Sequence, residues 1–301
     1  MLFRMLPVIL LRLIAFPVGF FYFLFSKKTR AHSQAFLERV YVYQSTAGNC
    51  LDRRGKKLNS LLHFIAFALS LVEKVEAWGG KALFKRVHFC DDDIGDLISR
   101  LEKGQGAVLI SSHLGNMEFI RALAGFNRTG VSREIPVNAI VDFNVTAHFN
   151  RMLQELNPKS NTRLINAADL GADTMILLEE RLARGELVVI AGDRTSSGKD
   201  SRNLSLPFLG KPAPFPFGPL FLAALLDAPV YAVFSLRQQD VSLHSHYFLH
   251  IHKSSLSFEC SRTERESRIR ELASWFTSYL QFYCQEHPYQ WYNFYDFWKV
   301  P

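Results

Sequence analysis

Two hydrophobic patterns divide the chain. Before residue 80 the apolar positions form long or helically spaced stretches, whereas from Lys85 short apolar runs alternate with amphipathic ones. Between Met5 and Phe25 only Arg12 is charged, and Leu13 to Phe25 carries no charge at all. Ala31 to Tyr43 and Lys57 to Ala77 have helical spacing, the second with Leu58, Leu61, Leu62, Ile65, Phe67, Ala68, Leu71 and Val72 as its apolar side. Beyond Lys85 the runs Arg86–Phe89, Ala107–Ser111, Val137–Val141, Arg163–Asn166, Leu187–Ala191 and Pro229–Leu236 read as strands. Ile94–Lys103, Asn116–Phe126, Ala147–Leu156, Leu170–Arg184 and Pro216–Asp227 read as helices between them, and Arg262 to Gln285 as a terminal helix, basic early and aromatic late.

Strands alternating with helices predict an α/β sandwich with a mostly parallel central sheet flanked by helices, preceded by an N-terminal membrane-associated helical segment. The expected organisation is an anchor or interfacial helix over 1–28, a helical lead-in over 29–80 and one compact domain over 81–301. At about 1.5 Å per residue the charge-free run reaches only ~20 Å, while the longer stretch crosses a ~30 Å hydrocarbon core if Arg12 snorkels. Pro7, Pro17 and Gly19 are expected to bend such a helix, so a segment lying in the interface competes with a full span. A cleaved signal peptide is not expected, because Lys27-Lys28 follows the apolar run in place of a small-residue cleavage site. Those lysines favour a cytoplasmic body.

Composition supports a membrane surface: 48% of the 301 residues are hydrophobic and 21% charged. The net charge of +7 suits anionic lipid, an acidic carrier protein or nucleic acid, and no nucleic-acid motif accompanies it. Cys50, Cys90, Cys260 and Cys284 lack the paired spacing of metal sites or disulfide scaffolds, and none has a base beside it in sequence. No nucleotide phosphate loop is present, so no cofactor is expected. His244, His246, His250 and His252 alternate along an apolar run and would share one strand face. Without a carboxylate or cysteine to complete a ligand set, a polar outer face is the stronger reading than a zinc site.

The candidate chemistry lies just after the run ending at Ser111. His113 and Glu118 are five residues apart across a strand-to-helix turn. On one regular helix they would point roughly 140° apart. With His113 on the loop and Gly115 allowing a tight bend, Glu118 can reach back to the imidazole and hold one nitrogen while the other accepts a proton. A capping or packing His113 beside a solvated Glu118 fits these two residues equally well. His63, inside the second predicted helix, reads as a packed residue.

Three blocks together resemble the glycerolipid and lysophospholipid acyltransferase superfamily, in its lipid A late-acyltransferase-like branch. They are His113-Leu114-Gly115-Asn116-Met117-Glu118, the strand ending Gly192-Asp193-Arg194, and the Pro-rich stretch Phe208 to Pro219. The aromatic ending His287 to Tyr292 and Phe297-Trp298 is similar too. The resemblance implies an acyltransferase in which His113 and Glu118 are catalytic. It implies transfer from an acyl-carrier protein or coenzyme A thioester to a hydroxyl or amine of a lipid or glycolipid, at the cytoplasmic face of a bacterial inner membrane. Substrate contacts are expected from Gly115, Asn116, Asn144, Asp193, Arg194, Pro216 and Gly218, with Asp193 orienting Arg194 and no metal. The prolines are expected to suppress regular structure before the following helix. A thioester hydrolase and a non-catalytic lipid-binding protein are the alternatives. No Gly-X-Ser-X-Gly elbow supports a serine hydrolase.

Overall fold

The computed structural model describes residues 7–46, 58–79, 83–90, 93–122, 131–143, 161–195, 202–259 and 261–299. Three helices come first, α1 (Val8–Phe25), α2 (Lys27–Thr46) and α3 (Ser60–Gly79). The α/β part follows with β1 (Val87–Phe89), α4 (Ile94–Glu102), β2 (Ala107–Ser111), a 3-10 turn (Met117–Ala122), β3 (Val137–Val141) and β4 (Thr162–Asn166). Then come α5 (Ala172–Ala183), β5 (Leu187–Ala191), β6 (Asn203–Phe208), β7 (Lys211–Pro216), α6 (Phe217–Leu225), β8 (Val230–Arg237), β9 (Tyr247–Lys253) and α7 (Arg262–Glu286).

Seven strands form one sheet in the order β1-β9-β8-β2-β5-β3-β4. Every pair is parallel except β8–β9, so β9 and β1 run against the other five. The central strands are continuous apolar runs because both of their faces are covered. Ala107 and Leu109 face α4 and the 3-10 turn, with Leu97, Leu101, Phe119 and Ile120. Val108 and Ile110 face the opposite layer, built from α5, α6, α7 and α2. Phe36, Leu37 and Val40 of α2 sit in that main core, so the lead-in helices are part of the body. A capping box of Ser261 and Glu264 starts α7, whose Phe276 and Tyr283 pack on Phe234 of β8.

The Pro-rich segment differs from expectation. Residues 203–216 form a two-stranded antiparallel ribbon turned by Leu209 and Gly210, both at positive φ (48° and 79°). The prolines of β7 stand at every second position, opposite Asn203, Ser205 and Pro207. Their missing N–H groups therefore fall at the alternate pairs that exchange no ladder hydrogen bonds, which is where an edge strand tolerates proline.

The predicted helix from Asn116 is also replaced, in its described part, by the 3-10 turn, with Phe119 N–H donating to Asn116 O at 3.2 Å. The predicted helix at 147–156 and Asn144 lie outside the described residues, as do Cys50 and Cys260. The histidine run forms a strand only from Tyr247, so His244 and His246 precede it. Its His250 and His252 face is not a polar outer surface: His252 Nε2 meets Tyr283 Oη at 2.8 Å and its ring stacks on Tyr279 of α7.

Helix α1 runs through Pro17 and Gly19 without interruption and lies antiparallel on α3. Tyr22 packs on Phe64, with ring centroids 5.0 Å apart, and a Cβ on Gly19 would stand 2.9 Å from the Ile65 Cα. Arg12 does not snorkel: it is buried and pairs with Glu76 of α3 at 2.6 Å, with a further bond to Leu243 O. The opposite face, with Leu13, Ile14, Val18, Phe21 and Phe25, is exposed apolar surface.

Candidate active site

Strand register builds the site. In the parallel β2–β5 pair Ser111 stands beside Ala191, and the ladder continues with Gly192 N–H donating to Ser111 O at 2.9 Å. His113 and Asp193 each lie two residues further, at the carboxyl ends of adjacent central strands, where open α/β sheets place their sites. The His113 backbone N–H donates to Asp193 Oδ2 at 2.9 Å, and its ring Nδ1 lies 2.8 Å from Oδ1. Trp291 Nε1 donates to the same Oδ2 at 2.9 Å.

Asp193 is buried, and burial alone would raise its carboxyl pKa. The charge and hydrogen bond of His113, then Arg194 and Trp291, outweigh that and hold it below the ordinary value. An ionised carboxylate only accepts hydrogen bonds, so Nδ1 carries the proton. His113 has its pKa lowered, first by burial and also by the charges of Arg194 and Lys74, with Asp193 pulling the other way. The neutral ring thus keeps its lone pair on Nε2, and the side chain is 23% exposed. This arrangement can take a proton from a bound hydroxyl or amine.

The turn after His113 depends on Gly115, at φ +74°. Its N–H donates to Gln290 O at 2.8 Å, and a Cβ there would stand 1.9 Å from Ser235 O. Asn116 is buried, and its Oδ1 accepts from Glu118 N–H at 3.2 Å, starting the 3-10 turn. Among the described residues its buried Nδ2 has no hydrogen-bond partner. Glu118 sits on that turn, which packs against α3, and its charge acts on Lys74. The carboxylate on His113 Nδ1 is therefore Asp193, a position sequence reasoning gave to Glu118.

Asp193 orients His113, and it acts on Arg194 through charge. Arg194 instead holds the C-terminal tail, with Nε donating to Asn293 Oδ1 at 2.8 Å and Nη2 to Tyr292 O at 2.9 Å. Burial lowers its pKa. Pro216 and Gly218 stand at the junction of the ribbon and α6. Phe208 packs edge-on to Trp291 at 5.3 Å, and Phe215 to Phe297 at 5.3 Å, so the ribbon walls in the tryptophan that holds Asp193.

His63 is a packed residue. Its Nδ1 meets Ser33 Oγ at 3.0 Å and its Nε2 meets Trp291 O at 2.9 Å, and burial lowers its pKa to about 4. Burial pushes the Cys284 thiol well above its usual value, so it is no nucleophile. Among the described residues no group of three His, Cys, Asp or Glu side chains is placed to hold a metal.

The mostly parallel sheet carries a His–Asp pair at the mouth of its central strands, an α/β architecture with the geometry that a general base requires. The chain belongs to the bacterial lipid A biosynthesis acyltransferase family, whose family model matches residues 1–300. No curated protein matches the chain. The family makes acyl transfer its activity class and implies an acyl donor and a lipid acceptor. α1 is long and apolar enough to cross a membrane, and together with the family it suggests membrane association.

Proposed function

We propose that this protein transfers a fatty acyl chain from a thioester, with acyl-carrier protein the favoured donor over coenzyme A, to a hydroxyl or amine of a lipid or glycolipid. The work is placed at the cytoplasmic face of a bacterial inner membrane. One observation carries the reading: an imidazole whose Nδ1 is held at 2.8 Å by a buried carboxylate. Nε2 takes the acceptor proton as the acceptor oxygen or nitrogen attacks the thioester carbonyl. The tetrahedral intermediate then expels the thiolate, which leaves with the proton returned by His113. No covalent acyl-enzyme is required. Glu118 is the second carboxylate of the site and Arg194 an anion contact for the donor arm or acceptor headgroup.

The net charge of +7 suits an acidic carrier protein and an anionic membrane. The test is mass spectrometry of products from full-length protein, labelled acyl-carrier protein and a mixed lipid extract, with His113→Ala and Glu118→Ala as controls. Acylated lipid formed only by the wild type supports transfer and identifies the acceptor. Free fatty acid that depends on His113 replaces the reading with a hydrolase, and absence of turnover with every donor favours a binding protein.

A further inference from the structure

Helix α1 turns its faces the opposite way from a helix on a water-soluble body. Its buried stripe is Arg12, Ala15 and Gly19, one charged and two small residues. Eleven of its 18 residues are large apolar side chains left exposed, with Val18 at 53%, Phe21 at 55% and Phe25 at 77%. Arg12 is the only charged residue of the helix, so the exposed side carries no charge. That side covers about 200° of the helix circumference. A packed partner helix covers a stripe of roughly 100°, whereas fluid hydrocarbon covers any width. Apolar surface of this extent marks a protein or membrane contact.

The attachment of α1 decides how lipid can cover it. Near its start Arg12 pairs with Glu76 of α3 at 2.6 Å, with the side chains 3% and 12% exposed, and donates to Leu243 O in the β8–β9 connection. Toward its end Tyr22 and Phe23 pack on Phe64, with ring centroids at 5.0 and 5.6 Å. Between them Ala15 packs with Ala68, Leu69 and Val72, and Gly19 lets the two backbones touch at Ile65. Arg12 and Tyr22 are about 15 Å apart on a helix about 27 Å long, so more than half of α1 is fastened down. α3 is itself built into the body, because Phe64 and Ala66 are fully buried and Glu73 pairs with buried Arg237 of β8 at 3.1 Å. A span across a ~30 Å hydrocarbon core would drag these elements into lipid or strip α1 from α3, leaving the Arg12 charge in hydrocarbon without Glu76. A helix lying along one leaflet keeps every one of these contacts.

Charge fits an anionic surface at the same place. Lys27 and Lys28 follow α1 directly and are exposed, and Arg30 closes the end of the helix by donating to Phe23 O at 2.7 Å. Basic groups beside an apolar helix face suit anionic headgroups.

We propose that α1 does not cross the membrane but lies in the plane of one leaflet, with its exposed face in the acyl chains of an anionic phospholipid bilayer and its Arg12 side clamped on α3. The assignment deepens the membrane part of the proposed function and rests on that part, not on the acyl-transfer chemistry. α3 then carries the lipid-embedded helix on one side and, through His63 Nε2 on Trp291 O, the tryptophan that donates to Asp193 on the other. The His113–Asp193 pair is thereby held at a fixed height above that leaflet.

The test uses the full chain in sealed, inverted inner-membrane vesicles from bacterial cells, with Leu2→Cys before α1 or Ala31→Cys after it. A membrane-impermeant maleimide is added before or after permeabilisation, and labelled positions are read by peptide mass spectrometry, so the 4 native cysteines stay in place. Both positions are expected to label in sealed vesicles. If only one of the two labels until the vesicles are opened, α1 spans and the proposal is overturned, while the membrane location stands. Absence of the protein from the membrane fraction overturns both.

Purified protein is then mixed with phosphatidylethanolamine vesicles with and without phosphatidylglycerol. Val18→Glu combined with Phe21→Glu is expected to lower vesicle affinity at least tenfold with an unchanged circular dichroism spectrum. Omitting phosphatidylglycerol is expected to lower wild-type affinity roughly tenfold to thirtyfold, the effect of two lysines near the surface. Unchanged vesicle affinity in the folded double variant overturns the lipid face, and a change from dimer to monomer by light scattering would then assign that face to a second copy of the chain. Labelling of both positions in a protein that transfers no acyl group leaves the in-plane helix standing and removes the chemistry instead.

Discussion

His113 Nδ1 lies 2.8 Å from Asp193 Oδ1, although 80 residues separate them in sequence. The register of two parallel strands produces that contact. Asp193→Asn keeps the shape but presents the ring with an amide that can donate as well as accept, so the protonated nitrogen is no longer dictated. The expected result is a fall in kcat on the order of 10⁴ with little change in KM. Steady-state kinetics alongside Glu118→Gln separate the two carboxylates. A full-activity Asp193→Asn protein would show that this carboxylate does not orient the base.

The two ends of this contact were legible unequally. Ala107–Ser111 and Leu187–Ala191 are strands with the boundaries the apolar runs suggest, because a strand covered on both faces must be apolar throughout. Their pairing in register was not legible, since nothing local specifies which strand lies beside which. Glu118 was the nearest carboxylate in sequence, and the nearest in space to Nδ1 is Asp193. The available signal was that both blocks end a strand two residues before their polar residue. In the ribbon, prolines that read as breakers are compatible with a strand because they recur at period two. Trp291 was visible only as one of many late aromatics, as its indole N–H becomes meaningful once the tail folds over Asp193.

Because burial and the neighbouring cations depress the His113 pKa, the ring stays neutral below the pH at which a free histidine charges. The acid limb of kcat/KM is therefore expected below about 6.5, the ordinary histidine value. The pH profile of the wild type checks this. A limb above that value would mean that the titrating base is another group.

Trp291→Phe retains a ring against Phe36, Phe208 and Phe297 while deleting the donor to Asp193 Oδ2. The buried carboxylate loses one of the interactions that keep it ionised, so its pKa rises and the His113 ring is held less firmly. A loss of about 1–3 kcal/mol in stability is expected, with activity declining at the acid end of the range first. Denaturant melts and pH profiles of the variant test both statements. An unchanged profile would assign Trp291 a packing role alone.

Gly115→Ala places a Cβ 1.9 Å from Ser235 O at a residue whose φ is +74°. Backbone must move on one side or the other, either shifting His113 or opening β8. We expect a loss of stability above about 2 kcal/mol together with loss of turnover. A variant melting within the wild-type range and retaining activity would show that the turn can relax at little cost.

Stability should also depend on pH through His63. Its folded pKa of about 4 lies below the ordinary 6.5, so between those values the unfolded chain binds a proton that the native protein refuses. Stability from this group is complete above about pH 6.5 and declines as the pH falls toward 4, at roughly 1.4 kcal/mol per unit and about 3 kcal/mol in all. His63→Gln lowers stability at neutral pH by disturbing the contacts to Ser33 and Trp291 O, but it should flatten this slope. Urea unfolding of both proteins at several values between pH 4.5 and 7.5 provides the comparison, at intervals of about one unit. Parallel slopes would mean that the acid sensitivity arises elsewhere, and a flatter slope in the variant would locate it at the contact between α3 and the tail that carries Trp291.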